Sequence, residues 1–306
     1  MASALSGIFV PTLAAVSPDG SLNESATTEN VRWLLDRGVA GIYPNGSTGE
    51  FLRLDEPVQD RITALTVEAC GSDGLVLGGA AGATAPLALN RCEALADMGC
   101  RAAAVVAPFY YGLGDAAVER FYRDLAAESP IDLLLYNIPL FASRISADVV
   151  ARLALDCPRI IGIKDSSGDL AHMQRMLAAV RPHRPDFTFF TGWDNVLASM
   201  LLLGCDGGTD AAANVVPEVL VQIHDSVLDG DLRTARHLQT PLAALFDAMI
   251  GCGEFPDGFR IAAAARGRDV ATPILPRSET QQRELDALAE RMPDLLKPFE
   301  SVLKKT

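Results

Sequence analysis

Short aliphatic and β-branched runs alternate along the chain with longer segments whose apolar residues recur every three to four positions. The short runs are Gly7–Pro11, Gly41–Pro44, Leu75–Gly79, Ala102–Ala107, Asp132–Tyr136, Ile160–Lys164, Thr188–Thr191 and Gly204–Thr209. Apolar on both parities and bounded by turn residues, they predict strands buried on both faces. The periodic segments near 24–37, 55–70, 84–98, 115–128, 146–156, 169–180 and 194–203 predict helices. Asp55, Thr84, Ser146 and Asp169 stand at capping positions, and Gly38, Gly71, Gly99 and Gly204 at closing ones. Eight strands alternating with helices, and an eighth helix from about Pro217, predict an α/β fold of the parallel (β/α)8 TIM-barrel type. An open doubly wound sheet is the alternative, but no Gly-x-Gly-x-x-Gly follows a strand. After Asp229 the pattern is helical only, near 231–250, 257–266 and 278–292, punctuated by Pro256, Pro273, Pro276 and Pro293. The expected organisation is a barrel over residues 1–229 and a helical extension over 230–306 packed on it.

Composition narrows the function classes. At 306 residues and 49% apolar, the chain can bury a large core. The formal net charge is −13, with no basic run beyond Lys304-Lys305, which argues against nucleic acid or anionic membranes as partners. Six scattered cysteines without a Cys-x-x-Cys pair read as reduced cytosolic thiols. Four histidines form no ligand-spaced pair, so no metal site is expected. Ile8 to Val16 imitates a signal-peptide core, but no Lys or Arg precedes Arg32 and Pro11-Thr12 interrupts the run. No window reaches the ~18 apolar residues of a membrane span. A soluble, cytoplasmic protein is expected.

Candidate chemistry gathers at the predicted strand ends, where barrels place their active sites. Lys164 closes the run Ile160-Ile161-Gly162-Ile163 and is followed by Asp165-Ser166-Ser167-Gly168-Asp169. Desolvation disfavours an ammonium, and a neutral amine attacks a ketone to give a Schiff base. The plain alternative is a lysine that snorkels to the rim or pairs with Asp165. Pro44-Asn45-Gly46-Ser47-Thr48-Gly49-Glu50 after the second strand suits a carboxylate, through its hydroxyls, amides and close-approaching glycines. It also reads as an ordinary turn. Tyr136, before Asn137-Ile138-Pro139, is either a packed tyrosine or a proton shuttle beside Lys164. Pro108-Phe109-Tyr110-Tyr111 suits a pocket wall or a subunit interface. Gly192-Trp193-Asp194-Asn195 and Gly207-Gly208-Thr209-Asp210 either shape the pocket or turn the chain. No Gly-x-Ser-x-Gly elbow supports a serine hydrolase.

Taken together, Gly46-Ser47-Thr48-Gly49-Glu50, Tyr136-Asn137-Ile138-Pro139 and Gly162 to Asp169 resemble the dihydrodipicolinate synthase / N-acetylneuraminate lyase superfamily. The resemblance runs from Phe9-Val10-Pro11-Thr12 to Ala265-Arg266-Gly267. It implies a class I enzyme that acts on pyruvate or another 2-keto acid as a homotetramer, a dimer of dimers. By position Lys164 would be the imine lysine and Tyr136 the acid/base. Ser47 and Thr48 would bind the carboxylate, Thr48 joining the proton relay, and Tyr110 would reach a neighbouring subunit's site. Gly192, Asp194, Asn195 and Thr209 would contact substrate. No metal or organic cofactor is implied beyond the covalent imine on Lys164.

Departures from the family pattern bear on substrate. Synthases of the lysine pathway carry an arginine two residues after the Tyr-Asn-x-Pro, where this chain has Phe141; the nearest arginine is Arg144. Sialic acid lyases carry a glutamate at Asn195 and a serine at Ala211. Leu140-Phe141-Ala142 offers an apolar surface to the distal half of a substrate, which penalises a carboxylated aldehyde there. The expected activity is pyruvate-forming cleavage of a 2-keto-3-deoxy sugar acid or a related 4-hydroxy-2-keto acid. Dehydration of such an acid by the same imine, or 4-hydroxy-tetrahydrodipicolinate synthesis, is the alternative.

Overall fold

A computed structural model describes residues 5–270 and 275–304. Pro273 and Lys305 lie outside the described residues. Eight strands form a closed parallel barrel in chain order. They are β1 (Gly7–Pro11), β2 (Gly41–Tyr43), β3 (Leu75–Ala80), β4 (Ala102–Val106), β5 (Leu133–Asn137), β6 (Ile160–Asp165), β7 (Thr188–Thr191) and β8 (Gly207–Thr209). Helices follow each strand: α1 (Glu24–Leu35), α2 (Glu56–Cys70), α3 (Ala85–Asp97), α4 (Asp115–Glu128), α5 (Ala147–Asp156), α6 (Leu170–Val180), α7 (Leu197–Leu203) and α8 (Pro217–Leu228). Then come α9 (Leu232–Ile250), α10 (Asp257–Ala265), α11 (Glu279–Leu296) and the short α12 (Glu300–Leu303). The eight-stranded TIM barrel with C-terminal helices is the fold that the hydrophobic pattern predicts.

Local chemistry differs from expectation in three places. Ser146 and Asp169 accept hydrogen bonds from Val149 and His172 amides, but Asp55 and Thr84 make no capping bond. Both stand before a proline in the first turn, where one orphan donor is already missing. The segment 194–203 opens as a 3-10 turn, Asp194–Val196, before α7. Pro293 does not stop α11, which runs on to Leu296. Its buried face of Leu285, Leu288 and Met292 holds the helix despite one lost backbone bond.

Two apolar layers surround the strands. Outward residues such as Ile8, Val10, Leu135 and Ile163 join the helix faces in one large core. Phe9, Tyr43, Leu77, Ala102, Ala104, Leu134 and Phe190 fill the barrel interior. In β6 the alternation breaks: Ile160 and Ile163 both face outward, and the register against β5 shifts at Leu133/Leu134. One extra residue turns the strand's end so that Lys164 pairs with inward Tyr136. Among the described residues no helix is long and apolar enough to cross a membrane.

Candidate active site

The C-terminal ends of β2, β5, β6, β7 and β8 surround a cavity of about 220 Å³. Lys164 lies at its wall, 4% exposed, its Nζ 4.3 Å from the Tyr136 ring centre and 4.7 Å from that of Tyr43. Pairing with Asp165 does not occur. That carboxylate faces the other way and accepts from Asn137 Nδ2 at 2.7 Å and Ser167 Oγ at 2.9 Å. Burial pushes the Asp165 carboxyl up, against the Asn137 bond and the field of His172. Asn137 also accepts from the Ile145 amide, so one buried amide ties β5, β6 and the loop after β5 together.

The loop after β2 brings Ser47 and Thr48 to the same cavity. Ser47 Oγ lies 3.4 Å from the Tyr136 hydroxyl. Glu50 closes this loop in the left-handed region, φ 55°, and its buried carboxylate is bound by Arg260 of α10. Gly192 also lines the cavity. A Cβ there would stand 2.2 Å from Ser166 Oγ and 2.9 Å from Lys164 Cε, so any larger residue would make one of those side chains shift. Thr209 lines the wall and donates to the Thr191 carbonyl at 3.4 Å.

Two buried carboxyls follow the strands of that wall, Asp194 within the lining and Asp210 outside it. Asp194 is fully buried and accepts from the Ala212 amide at 2.7 Å through Oδ1, leaving Oδ2 without a partner. Burial pushes its carboxyl up to about 6, opposed by that amide and by Lys164. Asp210 is fully buried too, with neither oxygen bonded. Burial, then the charge of Asp194, hold it well above the carboxylate range.

Most of the expected residues meet here: Lys164, Tyr136, Ser47, Thr48, Gly192, Asp194 and Thr209 line one cavity. Asn195 does not. Its amide donates to Asp247 of α9 at 2.7 Å, because the 3-10 turn after β7 directs it outward to that helix. Tyr110 lies 89% exposed with φ 70°, at the mouth of an adjoining cavity rather than beside Lys164. Arg144 points away too, 3.6 Å from Asp169. Sequence reasoning passed over Tyr43, whose place at the end of a predicted strand was the available signal. Burial and then Tyr136 keep its phenol well above the ordinary value, hence neutral. It also passed over Phe255, which reaches the cavity from the α9–α10 connection and carries no sequence signal.

Known proteins resemble this chain over nearly its whole length. The model of the dihydrodipicolinate synthetase family matches residues 4–292. A DapA-like lyase of uncharacterised function from Halobacterium salinarum is 32% identical over 266 residues, covering 87% of this chain and 86% of that protein. A probable 2-dehydro-3-deoxy-D-pentonate aldolase of Escherichia coli is 30% identical, covering 78% and 80%. The crystal structure of an Escherichia coli K12 prophage protein of the same family, in complex with pyruvate, superposes with a TM-score of 0.89. It is 28% identical, over 95% of this chain and 98% of that one. A family match over nearly the whole chain, and strand ends that bring the motif residues to one cavity, lead to one conclusion: the chain belongs to the dihydrodipicolinate synthetase family.

Proposed function

We propose that the protein is a Schiff-base lyase of this family, a class I aldolase that releases pyruvate from a 2-keto-3-deoxy sugar acid or a related 4-hydroxy-2-keto acid. The observation that carries the reading is Lys164, buried in the cavity against two tyrosine rings with no carboxylate among its described neighbours at ion-pair distance. The Ser47 and Thr48 loop receives the substrate carboxylate. The Lys164 amine adds to the C2 ketone, and water leaves with a proton from Tyr136 to give the iminium. Tyr136 then takes the 4-hydroxyl proton, the C3–C4 bond breaks, and its electron pair flows into the iminium to give the enamine. The aldehyde departs, C3 is reprotonated, and water hydrolyses the imine to free pyruvate and Lys164. Thr48 and Ser47 extend the proton path, Ser47 being 3.4 Å from the Tyr136 hydroxyl.

The same reading takes the protein as cytoplasmic, in keeping with six free cysteines, and as a homotetramer built from dimers. Exposed Tyr110 and Tyr111 support the latter. It also treats 230–306 as an extension of the 1–229 barrel. The test is pyruvate with borohydride: one reduced pyruvyl group should be fixed per subunit, and none on Lys164→Ala. An adduct on that variant overturns the assignment. Pyruvate release from a panel of 2-keto-3-deoxy acids separates cleavage from dehydration, which would expel water and leave the carbon chain whole.

A further inference from the structure

Beside the Lys164 cavity lies a second of about 440 Å³, and the two share Ser47, Ile138, Phe141 and Phe255 as lining residues. It is the adjoining space into which a substrate group beyond the carbon that bears the 4-hydroxyl can extend. Its wall is apolar: Phe109 from the β4 loop, Phe141 from the β5 loop and Phe255 from the α9–α10 connection, with Val106 and Leu52 beside them. The Phe141 and Phe255 ring centres stand 6.0 Å apart, tilted by 46°, and Phe255 is backed by Phe259 at 5.8 Å. A bridge between Phe109 and Ala142 fixes the loop that carries Phe141.

The charged groups on this wall are engaged. Arg53 donates to Glu50 at 2.6 Å and to the Phe255 carbonyl, and Glu50 also binds Arg260. Glu254 accepts from Gln281 at 3.0 Å. A polyol placed here would exchange water mostly for ring faces, with the Ser47 and Tyr110 hydroxyls the uncharged side-chain partners on the wall. A carboxylate would lack a bidentate donor, since Arg144 is directed to Asp169.

We infer that the aldehyde half of the substrate is an apolar, flat group of the aryl class, seated between Phe141, Phe255 and Phe109. The preferred substrate is then a 4-hydroxy-4-aryl-2-keto acid rather than a sugar acid. Its C3–C4 bond breaks, the electron pair passes to the Lys164 iminium, the 4-hydroxyl proton goes to Tyr136, and an aryl aldehyde leaves. No oxidant or further reactant enters. The inference rests on the Schiff-base reading above.

The test uses the full-length protein with pyruvate and equal concentrations of benzaldehyde, D-glyceraldehyde or aspartate semialdehyde. Aldol addition is followed by mass spectrometry, alongside borohydride trapping with pyruvate alone. Benzaldehyde should exceed each of the others in kcat/KM by at least roughly tenfold. Phe141→Asn and Phe255→Asn should each narrow that ratio by about tenfold. Intact trapping with glyceraldehyde equal or preferred overturns this inference and leaves the Schiff base standing. Absence of trapping overturns both. If Phe141→Asn lowers the sedimenting mass and leaves the aldehyde ratio unchanged, the wall is a contact with a second copy, and the inference falls.

Discussion

Replacing Arg260 with methionine tests whether the C-terminal helices hold the loop that bears Ser47 and Thr48. Arg260 of α10 and Glu50 each leave only 2% of their side chains exposed. Arg260 Nε reaches Glu50 Oε2 at 3.1 Å, and Nη1 donates to the Ala14 and Val270 carbonyls. Removing one partner of a buried ion pair costs about 3–5 kcal/mol. Losing the donor to two carbonyls adds roughly 1 kcal/mol each. Arg53, one-third exposed and 2.6 Å from Glu50 Oε1, keeps part of the charge compensated. With Arg53 offsetting about 1 kcal/mol, the expected loss for Arg260→Met is therefore about 4–6 kcal/mol. Glu50→Gln should cost about 2–3 kcal/mol, because it strands Arg260 instead. The double variant should lose at least about 2 kcal/mol less than the sum of the two. Equilibrium urea unfolding of the four proteins gives that coupling directly. In folded Arg260→Met the KM for pyruvate should rise several-fold while kcat changes less, since the loop proposed to receive the carboxylate is loosened. A coupling energy below about 0.5 kcal/mol would refute the clamp. So would an Arg260→Met protein with wild-type stability.

Other predictions follow from single sites. Gly192→Ala should slow borohydride trapping with pyruvate by about tenfold while the circular dichroism spectrum is retained, because the new methyl group, 2.2 Å from Ser166 Oγ and 2.9 Å from Lys164 Cε, makes one of those side chains shift. Trapping at the wild-type rate would contradict the packing. Tyr136→Phe should lower kcat about 10²–10⁴-fold, the usual worth of a placed acid/base, with slower but complete trapping on Lys164; near-normal turnover would remove Tyr136 from proton transfer. The Asp194 carboxyl is held at about 6 against an ordinary 3.8, so the folded state binds its proton more tightly than the unfolded chain. Its contribution to stability is complete below about pH 4 and is lost as the pH rises through 6, on the order of 3 kcal/mol in all. Asp194→Asn should gain stability over wild type at pH 7.5 but not at pH 4, read from urea midpoints; an equal difference at both would show that the carboxyl ionises freely.

Much of the barrel was legible in the sequence because buried parallel strands must be apolar on both faces. Turn residues then mark where each run stops. Lys164 stood out because the last residue of a predicted strand has little packing reason to be charged. Ser47 and Thr48 stood out because a glycine-flanked turn after β2 offers hydroxyls and amides, whereas Tyr136 read equally as a packed tyrosine. Closure of the barrel brings those ends to one rim. Family resemblance gave these residues their roles; composition alone did not. Asn195 and Tyr110 share strand-end loops with residues that do line the Lys164 cavity or its neighbour, yet one turns to Asp247 and the other to solvent.

Side-chain direction needed the tertiary structure. Strict alternation from inward Ile161 would point Lys164 outward, into the helix layer. The shifted register between β5 and β6 inserts one residue and turns it inward, beside Tyr136. Phe255 and Arg260 reach the cavity and its loop from beyond the last strand. Periodicity says which face of a segment is buried. Which distant segment covers it is set by how the closed barrel and the C-terminal helices pack, and that packing brings together residues as far apart in sequence as Glu50 and Arg260.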